Sequence, residues 1–590
     1  MKGAHIMNEI WNLDPIYKGF DDPAFAADMD KLREKVNQIL AFSEQLSGLS
    51  PIEGLTGGIA LQEDFAQLVG KLAGYASLRQ AANTRDPEAG SRMGQVMQLY
   101  SGVAAPFAAW KDWASKLPDL QQIVVNDENL RAYSFMFQNL ADSSKYLLPG
   151  MGEEIMAKMG LSGGDAWSEL QQYLTSTVPV SYNGGTTNLS SIRNLAYDAD
   201  PTVRKAAYEA ELQCYERIKD SVAYALNSIK LETISDCQLR GYASPLERTL
   251  KQSDMKQETL DAMLGAMDEY LPKFWQYLKA KGKALGHENG LPWYDMFAPM
   301  GSSSTKFTAE DARSYLVGLF SEFDADLANM VAEAFDNAWI DFYPRDGKAG
   351  GAFCAGVECL GESRILTNFD GMFGDVVTLA HELGHAFHNL CIKSHRPLNQ
   401  DYSMPLAETA STFNECVVMA SAISKAADKN EKIALIESQL QDATQIICDI
   451  YSRFRFEKMV LDNRSQMFMN ADTLCQFMLD AQKQSYGDGL DHNALHPYMW
   501  VCKSHYYGPT FYNFPYAFGG LFARGLYAQY EQEGAAFVPK YKKLLYTTPI
   551  ATAEDVAKVA DIDLTDKNFW RAALQTIADQ IDLFCQLVEE

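Results

Sequence analysis

The sequence predicts a mostly α-helical protein with a small β component. Three observations carry this expectation. Apolar residues recur at intervals of three and four over most of the chain. Only two stretches, Val178 to Ser190 and Gly350 to Phe369, break that rhythm. The 590 residues are 47% apolar and 22% charged, which suits a large packed interior and not a disordered chain. At about 150 residues per domain, the length allows three or four units or fewer large ones.

The start of the chain lacks a basic segment followed by an apolar one, so no secretory signal is expected. Met7 reads as the native initiator, with Met1 to Ile6 as added sequence. Val103 to Trp110 is the longest suggestive apolar run; Pro106 interrupts it, and it falls far short of the roughly 20 residues that span a bilayer. Val178 to Ser190 holds Asn183-Gly184-Gly185 between Val/Tyr- and Thr-rich flanks, a hairpin signal. A boundary is placed after it, giving an N-terminal helical lobe over 1–195 and a larger lobe over 196–590. Lys205 to Asp236 reads as one long helix, with Ala207, Leu212, Tyr215, Val222, Leu226 and Ile229 on its apolar stripe. Thr308 with Asp311 three residues later predicts a capped helix running through Phe320. Ile365 to Phe369 reads as a strand. Helical periodicity returns over Glu431 to Met459 and near the C-terminus.

Charge narrows the function classes. Lys and Arg total 51 against 77 Asp and Glu, a net charge of −26 at pH 7. Such a field repels phosphate backbones and anionic lipids, which argues against nucleic-acid and membrane partners. The ten cysteines are scattered and no pair has C-x-x-C spacing; Cys354 and Cys359 are five apart. They are expected to be reduced thiols, as in a cytoplasm.

The sharpest pattern is His381-Glu382-Leu383-Gly384-His385, an H-E-x-x-H motif. Its flanks are helical, with Asp375 as a capping candidate and Val376, Val377, Leu379, Ala380, Leu383, Ala386 and Phe387 apolar. Residues four apart differ by about 40° around a helix axis, so both imidazoles reach one ion. Zinc takes such nitrogens at about 2.0–2.1 Å. Glu382, rotated by about 100°, sits beside the metal, placed to take a proton from water. Gly384 removes a side chain where packing is close. Polar residues on an otherwise apolar helix need partners, which favours one Zn2+ per chain over a chance motif.

Catalytic zinc needs a third protein ligand and an open position. His388 and Cys391 stand where a metzincin carries Gly and His, so that class is excluded. A carboxylate 19 or 20 residues after His385 would fall on Met404 or Pro405. Glu408, 23 residues on, is the first carboxylate in a convincing helix, Leu406 to Glu415, with Asp401 the weaker candidate in a loop. Glu415, seven residues later on nearly the same face, suits a hydrogen bond to the second nitrogen of a metal-bound histidine; it also fits an ordinary surface carboxylate. His388 is placed as a further support of the site or as a packed core histidine. His492 and His496, four apart with no intervening Glu and followed by Pro497, read as structural.

Together, His381 to His388 and Leu406-Ala407-Glu408-Thr409-Ala410-Ser411-Thr412 resemble the thimet oligopeptidase and oligoendopeptidase F family of zinc metallopeptidases. The resemblance extends to Arg345 to Lys348, Gly351 to Cys354, Ile365 to Phe369 and Asp375 to Leu379, and to Trp11 to Tyr17, which resembles an oligoendopeptidase F start. It implies a mostly helical, two-lobed zincin with a small sheet beside the active-site helix and zinc deep in a channel. It also implies internal cleavage of short oligopeptides. The segment His505 to Tyr516 resembles the His-and-Tyr stretch with which the family stabilises the transition state. By that match His505 and Tyr512 are oxyanion donors and Tyr516 a substrate contact. Thr510 stands where thimet-type members carry Tyr, so the oligoendopeptidase F spacing is followed. The match also makes Gly351, Ala352 and Phe353, with Ile365 to Phe369, candidates for a sheet edge that pairs with substrate backbone. Two rivals stand beside the endopeptidase: a zincin exopeptidase with a blocked channel, and a silent peptide-binding protein, against which the intact Glu382 argues. Oligomeric state and cleavage preference are not written in the sequence.

Overall fold

A computed structural model describes residues 9–301, 306–426 and 428–589; Met1 to Ile6 and Met7 lie outside the described residues. Helices dominate, with two small sheets among the described residues. The expected hairpin pairs β1 (Val180–Tyr182) with β2 (Gly185–Thr187). Asn183 and Gly184 turn it with φ of 49° and 75°, the left-handed pair that a two-residue hairpin turn requires. The second sheet contains β3 (Ile340–Asp341), β4 (Phe353–Val357) and β5 (Glu362–Leu366) in the order β3-β5-β4. β3 runs parallel to β5, and β4 runs antiparallel with Phe353 opposite Leu366. All ten cysteines are free thiols. No helix among the described residues is long and apolar enough to cross a membrane.

The chain divides into two compact units, each assembled from three stretches. The first comprises Met1–Lys145, Ser304–Ser421 and Gln529–Asp561; the second comprises Tyr146–Ser303, Ala422–Ala528 and Ile562–Glu590.

In the first unit, the helices Pro23–Gln45 and Pro51–Ala82 start at side-chain caps, Asp22 and Ser50, each followed by proline. Phe25, Leu32, Leu72 and Tyr75 from this pair share one core with Val357 and Leu366, which anchors the sheet from behind. The loop after β3 is tied down by a buried charge cluster. Asp341 accepts from Arg345 at 2.5 and 2.7 Å and from Lys348 Nζ at 2.8 Å. Lys348 also donates to the carbonyls of Tyr343 and Thr367 at 2.9 and 2.6 Å. A buried carboxylate is tolerable when it is paired and hydrogen-bonded, as here. Thr308 and Asp311 form the expected capping box of the helix Ala309–Ser321, an arrangement worth about 1 kcal/mol.

The helix Phe373–Ile392, called the histidine helix below, packs on β4 and β5. Asp375 is not its N-cap, as the sequence suggested; Met372 is, and Asp375 stands three positions in. Its carboxylate reaches back to accept the N–H groups of Met372 and Asp370 at 2.9 and 3.0 Å.

In the second unit, the expected helix over Lys205 to Asp236 is two helices, Pro201–Tyr215 and Lys219–Arg240. The break follows two short-range bonds, Arg217 N–H to Cys214 and Ile218 N–H to Tyr215, that tighten the last turn. Ile218 then turns into a core with Val222, Leu226, Phe456, Val460 and Trp500. The periodicity over Glu431 to Met459 is carried by helices Lys429–Thr444 and Ile450–Arg464, joined by a π-turn at Gln445–Asp449.

Candidate active site

The histidine helix is apolar almost all round, and Val376, Leu379, Ala380, Leu383, Ala386 and Phe387 are buried. His381 and His385 leave it one turn apart, with ring centroids 4.9 Å apart and planes at 82°. Facing them is the helix Thr409–Lys425, called the glutamate helix below. The two helices approach closely because Gly384 has no side chain. A Cβ there would lie 2.5 Å from both Ala410 O and Ser411 Cα. Asn414 Nδ2 bridges the same gap, donating to Ala380 O at 3.1 Å.

Glu408 stands in the junction between the short helix Met404–Ala407 and the glutamate helix, at φ −91° and ψ 10°, instead of within one continuous helix as expected. Its Oε2 lies 3.3 Å from His381 Nε2 and 3.4 Å from His385 Nε2. His381, His385 and Glu408 are the one cluster among the described residues whose donor atoms all lie within 4.8 Å of one another. The spacing tests the fit of zinc. Donors held about 2.0–2.1 Å from one tetrahedral ion lie about 3.3–3.4 Å apart. Two imidazole nitrogens and one carboxylate oxygen are also the donor set of a catalytic zinc with one position open.

The surrounding groups orient these donors. His381 Nδ1 is 2.5 Å from Glu415 Oε1, which leaves Nε2 directed at Glu408. Ser411 Oγ donates to Glu408 Oε2 at 2.8 Å, a contact that the three-residue spacing Glu408-x-x-Ser411 signals but that the sequence reading missed. Burial alone would push His381 down, yet Glu408 and Glu415 override it and hold its pKa at about 10 in the absence of metal. Burial likewise disfavours the Glu408 carboxylate, and the two imidazoles more than offset it, keeping that group far below the ordinary range. Glu382 is 6% exposed, and burial raises its pKa above the ordinary value against the pull of His381 and His385.

His388 does not support the metal site directly. It is fully buried, 2.8 Å from Thr548 Oγ1 through Nε2 and stacked on Tyr402 with centroids 4.0 Å apart. Burial pushes its pKa down to about 3, so it is a neutral core histidine. Asp401 is exposed, and its carboxylate accepts its neighbour Tyr402 N–H. His492 is bonded to Gly487 O, and His496 is buried 3.3 Å from Glu211 Oε1.

Of the sheet-edge candidates, β4 lies at an edge and β5 is central, so Ile365 to Phe369 does not provide one. Phe353 opens β4, while Gly351 and Ala352 lie in the approach to it, Gly351 at φ 78° and its carbonyl accepting from Asn368 Nδ2 at 2.8 Å.

His505, Tyr512 and Tyr516 lie in the second unit and form their own cluster. Ring centroids are 5.8 Å apart for His505 and Tyr512, 5.9 Å for His505 and Tyr516, and 5.6 Å for the two tyrosines. These three are half-exposed, while Tyr506, Tyr507, Phe511, Asn513 and Phe514 around them are buried. Burial, with Arg453 and Lys503 nearby, lowers the His505 pKa, which keeps it neutral near pH 7.

Two histidines one turn apart, a glutamate between them in sequence and a carboxylate from the junction ahead of a second helix define a zinc metallopeptidase with one metal per chain. Residues 194–576 match the sequence profile of peptidase family M3, and residues 117–178 match that of oligopeptidase F. The chain belongs to peptidase family M3 and carries the machinery of a zinc-dependent endopeptidase acting on peptides. It is 22% identical over 585 residues to oligopeptidase PepF of Bacillus subtilis, covering 97% of this chain and 86% of that protein. It is 23% identical over 594 residues to an oligoendopeptidase F homologue of Lactococcus lactis, covering 98% and 97%. The fold is shared with a protein from Chlamydophila abortus (TM-score 0.88, 19% identity, 98% of both chains). It is also shared with oligoendopeptidase F from Enterococcus faecium (TM-score 0.70, 17% identity, 96% of this chain and 99% of that one).

Proposed function

We propose that this protein is a cytoplasmic oligoendopeptidase that cuts internal bonds of short peptides. In it Glu382 acts as the proton carrier, and His505 and Tyr512 are the oxyanion donors. The observation that supports it most is the contrast within one helix: His381 and His385 converge on Glu408, while Glu382 between them is buried and held toward its neutral form. Zinc, held by His381, His385 and Glu408, would supply Lewis-acid polarisation of the scissile carbonyl and acidify a water molecule. The Glu382 carboxylate takes one proton from the attacking water as the new C–O bond forms. It returns that proton to the amide nitrogen as the C–N bond breaks, so a raised pKa suits both halves of its task. Tyr512 O–H and the His505 ring N–H would donate to the carbonyl oxygen as negative charge builds there. The outer edge of β4, beginning at Phe353, would pair with substrate backbone and so read no particular side chain; Tyr516 would line the bound peptide.

The test is hydrolysis of a quenched fluorescent peptide blocked at both ends, with products identified by mass spectrometry. Internal cleavage that stops on chelation is expected; release only from peptides with a free end would make the protein an exopeptidase. Tyr512→Phe should lower kcat by about 10²–10³-fold, the usual effect of losing one oxyanion donor. A change confined to KM would reassign Tyr512 to substrate binding.

A further inference from the structure

The loop that carries Tyr512 is held in an uncommon way. Phe511, just before it, has φ of 54° although it bears a side chain, a left-handed conformation that costs about 1–2 kcal/mol for such a residue. Such a conformation persists only where its surroundings enforce it. Here one carboxylate does so. Glu457 Oε1 accepts the Phe511 N–H at 3.1 Å, and Glu457 Oε2 accepts Asn513 Nδ2 at 2.9 Å. The same Oε1 receives Lys230 Nζ at 2.6 Å, and both members of that ion pair have side chains only 1% exposed. Lys230 comes from the helix Lys219–Arg240 and Glu457 from Ile450–Arg464, so the first helix holds the carboxylate and the carboxylate holds the loop on either side of Tyr512. Asn513 passes the restraint on: its Oδ1 accepts the Phe514 N–H at 2.7 Å, at the start of the helix that carries Tyr516.

We infer that Glu457, held by Lys230, is a positioning residue that fixes the backbone on both sides of Tyr512 and so aims its phenol. A buried ion pair serving stability alone would have no need to spend both carboxylate oxygens on the residues flanking Tyr512. Misplacing a reacting or stabilising group by about 1 Å costs about 10²-fold in rate. The inference rests on the role proposed for Tyr512, and the experiment separates the two. Glu457→Gln places an amide N–H₂ against one of its present donors and leaves Lys230 without its counter-charge. Because an unpaired buried charge endangers folding, the charge-balanced pair Lys230→Met/Glu457→Gln is measured beside it. Both variants are also made in a Tyr512→Phe background. The readouts are kcat and KM, zinc content, and hydrogen exchange of the amides from 509 to 514.

The expected result is a kcat loss of about 10–10²-fold with KM and zinc content nearly unchanged, and faster exchange across 509–514. No further kcat loss is expected once Tyr512 is phenylalanine, because the clamp then has no phenol to aim. Full additivity with Tyr512→Phe, or unchanged exchange in a folded variant, would overturn the clamp. If Tyr512→Phe itself keeps wild-type kcat, the oxyanion role fails and the positioning inference falls with it; the exchange data then report only a structural restraint.

Discussion

Gly384 offers the most direct perturbation of the metal site, because it is neither a ligand nor a proton carrier. In Gly384→Ala the new methyl group would stand 2.5 Å from Ala410 O and from Ser411 Cα. That is about 1 Å short of the roughly 3.5 Å at which such atoms touch. Both obstacles are backbone, so no side chain can swing aside, and the glutamate helix must move as a body away from the histidine helix. Overpacking of this kind costs about 1–3 kcal/mol of stability. The displacement matters more for chemistry. Metal–ligand distances tolerate only about ±0.2 Å, and Glu408, Ser411, Asn414 and Glu415 all ride on the displaced segment. Zinc affinity should fall by about 10–10²-fold, the scale on which disturbed supports of a metal site act. The assay is zinc competition against a calibrated chelator, with kcat at saturating zinc and thermal unfolding of the metal-free protein alongside. Wild-type zinc affinity in a folded Gly384→Ala protein would refute the reasoning, since the contact between the two helices would then not set ligand geometry.

Other perturbations probe separate parts of the site. Glu382→Gln should retain zinc and lose about 10²–10⁴-fold in kcat; retained turnover in zinc-loaded protein would remove Glu382 from the chemistry. Glu415→Gln should leave the fold intact and weaken zinc binding by about 10–100-fold, because His381 Nδ1 loses its carboxylate partner; unchanged affinity would return Glu415 to an incidental surface role. Metal uptake should release a proton. Without metal, His381 keeps its proton up to about pH 10, and a metal-bound imidazole must be neutral. Apparent zinc affinity should therefore rise about tenfold per pH unit between pH 7 and 9, measured calorimetrically in two buffers of different ionisation enthalpy. A pH-independent affinity would contradict it.

Some of this architecture was open to the sequence, and the reasons differ residue by residue. His381, Glu382 and His385 are legible because helix geometry converts their spacing directly into a shared face. Glu408 is legible by elimination, since few carboxylates follow within reach. Its setting is not: no proline or glycine marks the junction after Ala407, where the backbone nonetheless leaves helical geometry. Glu415 is legible from its seven-residue offset. His388 shows the limit of such arguments. Its spacing from His385 places it near the same face, yet its partner Thr548 comes from 160 residues away. The same blindness hides the break after Tyr215, where the apolar rhythm continues while the chain turns. Assembly of each unit from three separate stretches rests on distant contacts and leaves no local pattern.

Why one carboxylate suits metal binding and its neighbour suits proton transfer follows from their surroundings. Burial acts on both Glu382 and Glu408 in the same sense, favouring the uncharged acid. Glu408 has both imidazoles within 3.4 Å, and its hydrogen bonds to them outweigh burial, which holds it toward the ionised form that a ligand needs. Glu382 sits on the same helix as those imidazoles, and there burial prevails over their pull. Two chemically equivalent groups are thereby driven to opposite protonation behaviour, which is how a single site obtains both a fixed anion and a movable proton. The sign of the separation can be tested by exchange of partners. Adding positive charge beside Glu382 should lower its pKa and shift the acid limb of the pH–rate profile downward, whereas the same charge beside Glu408 should leave that limb in place.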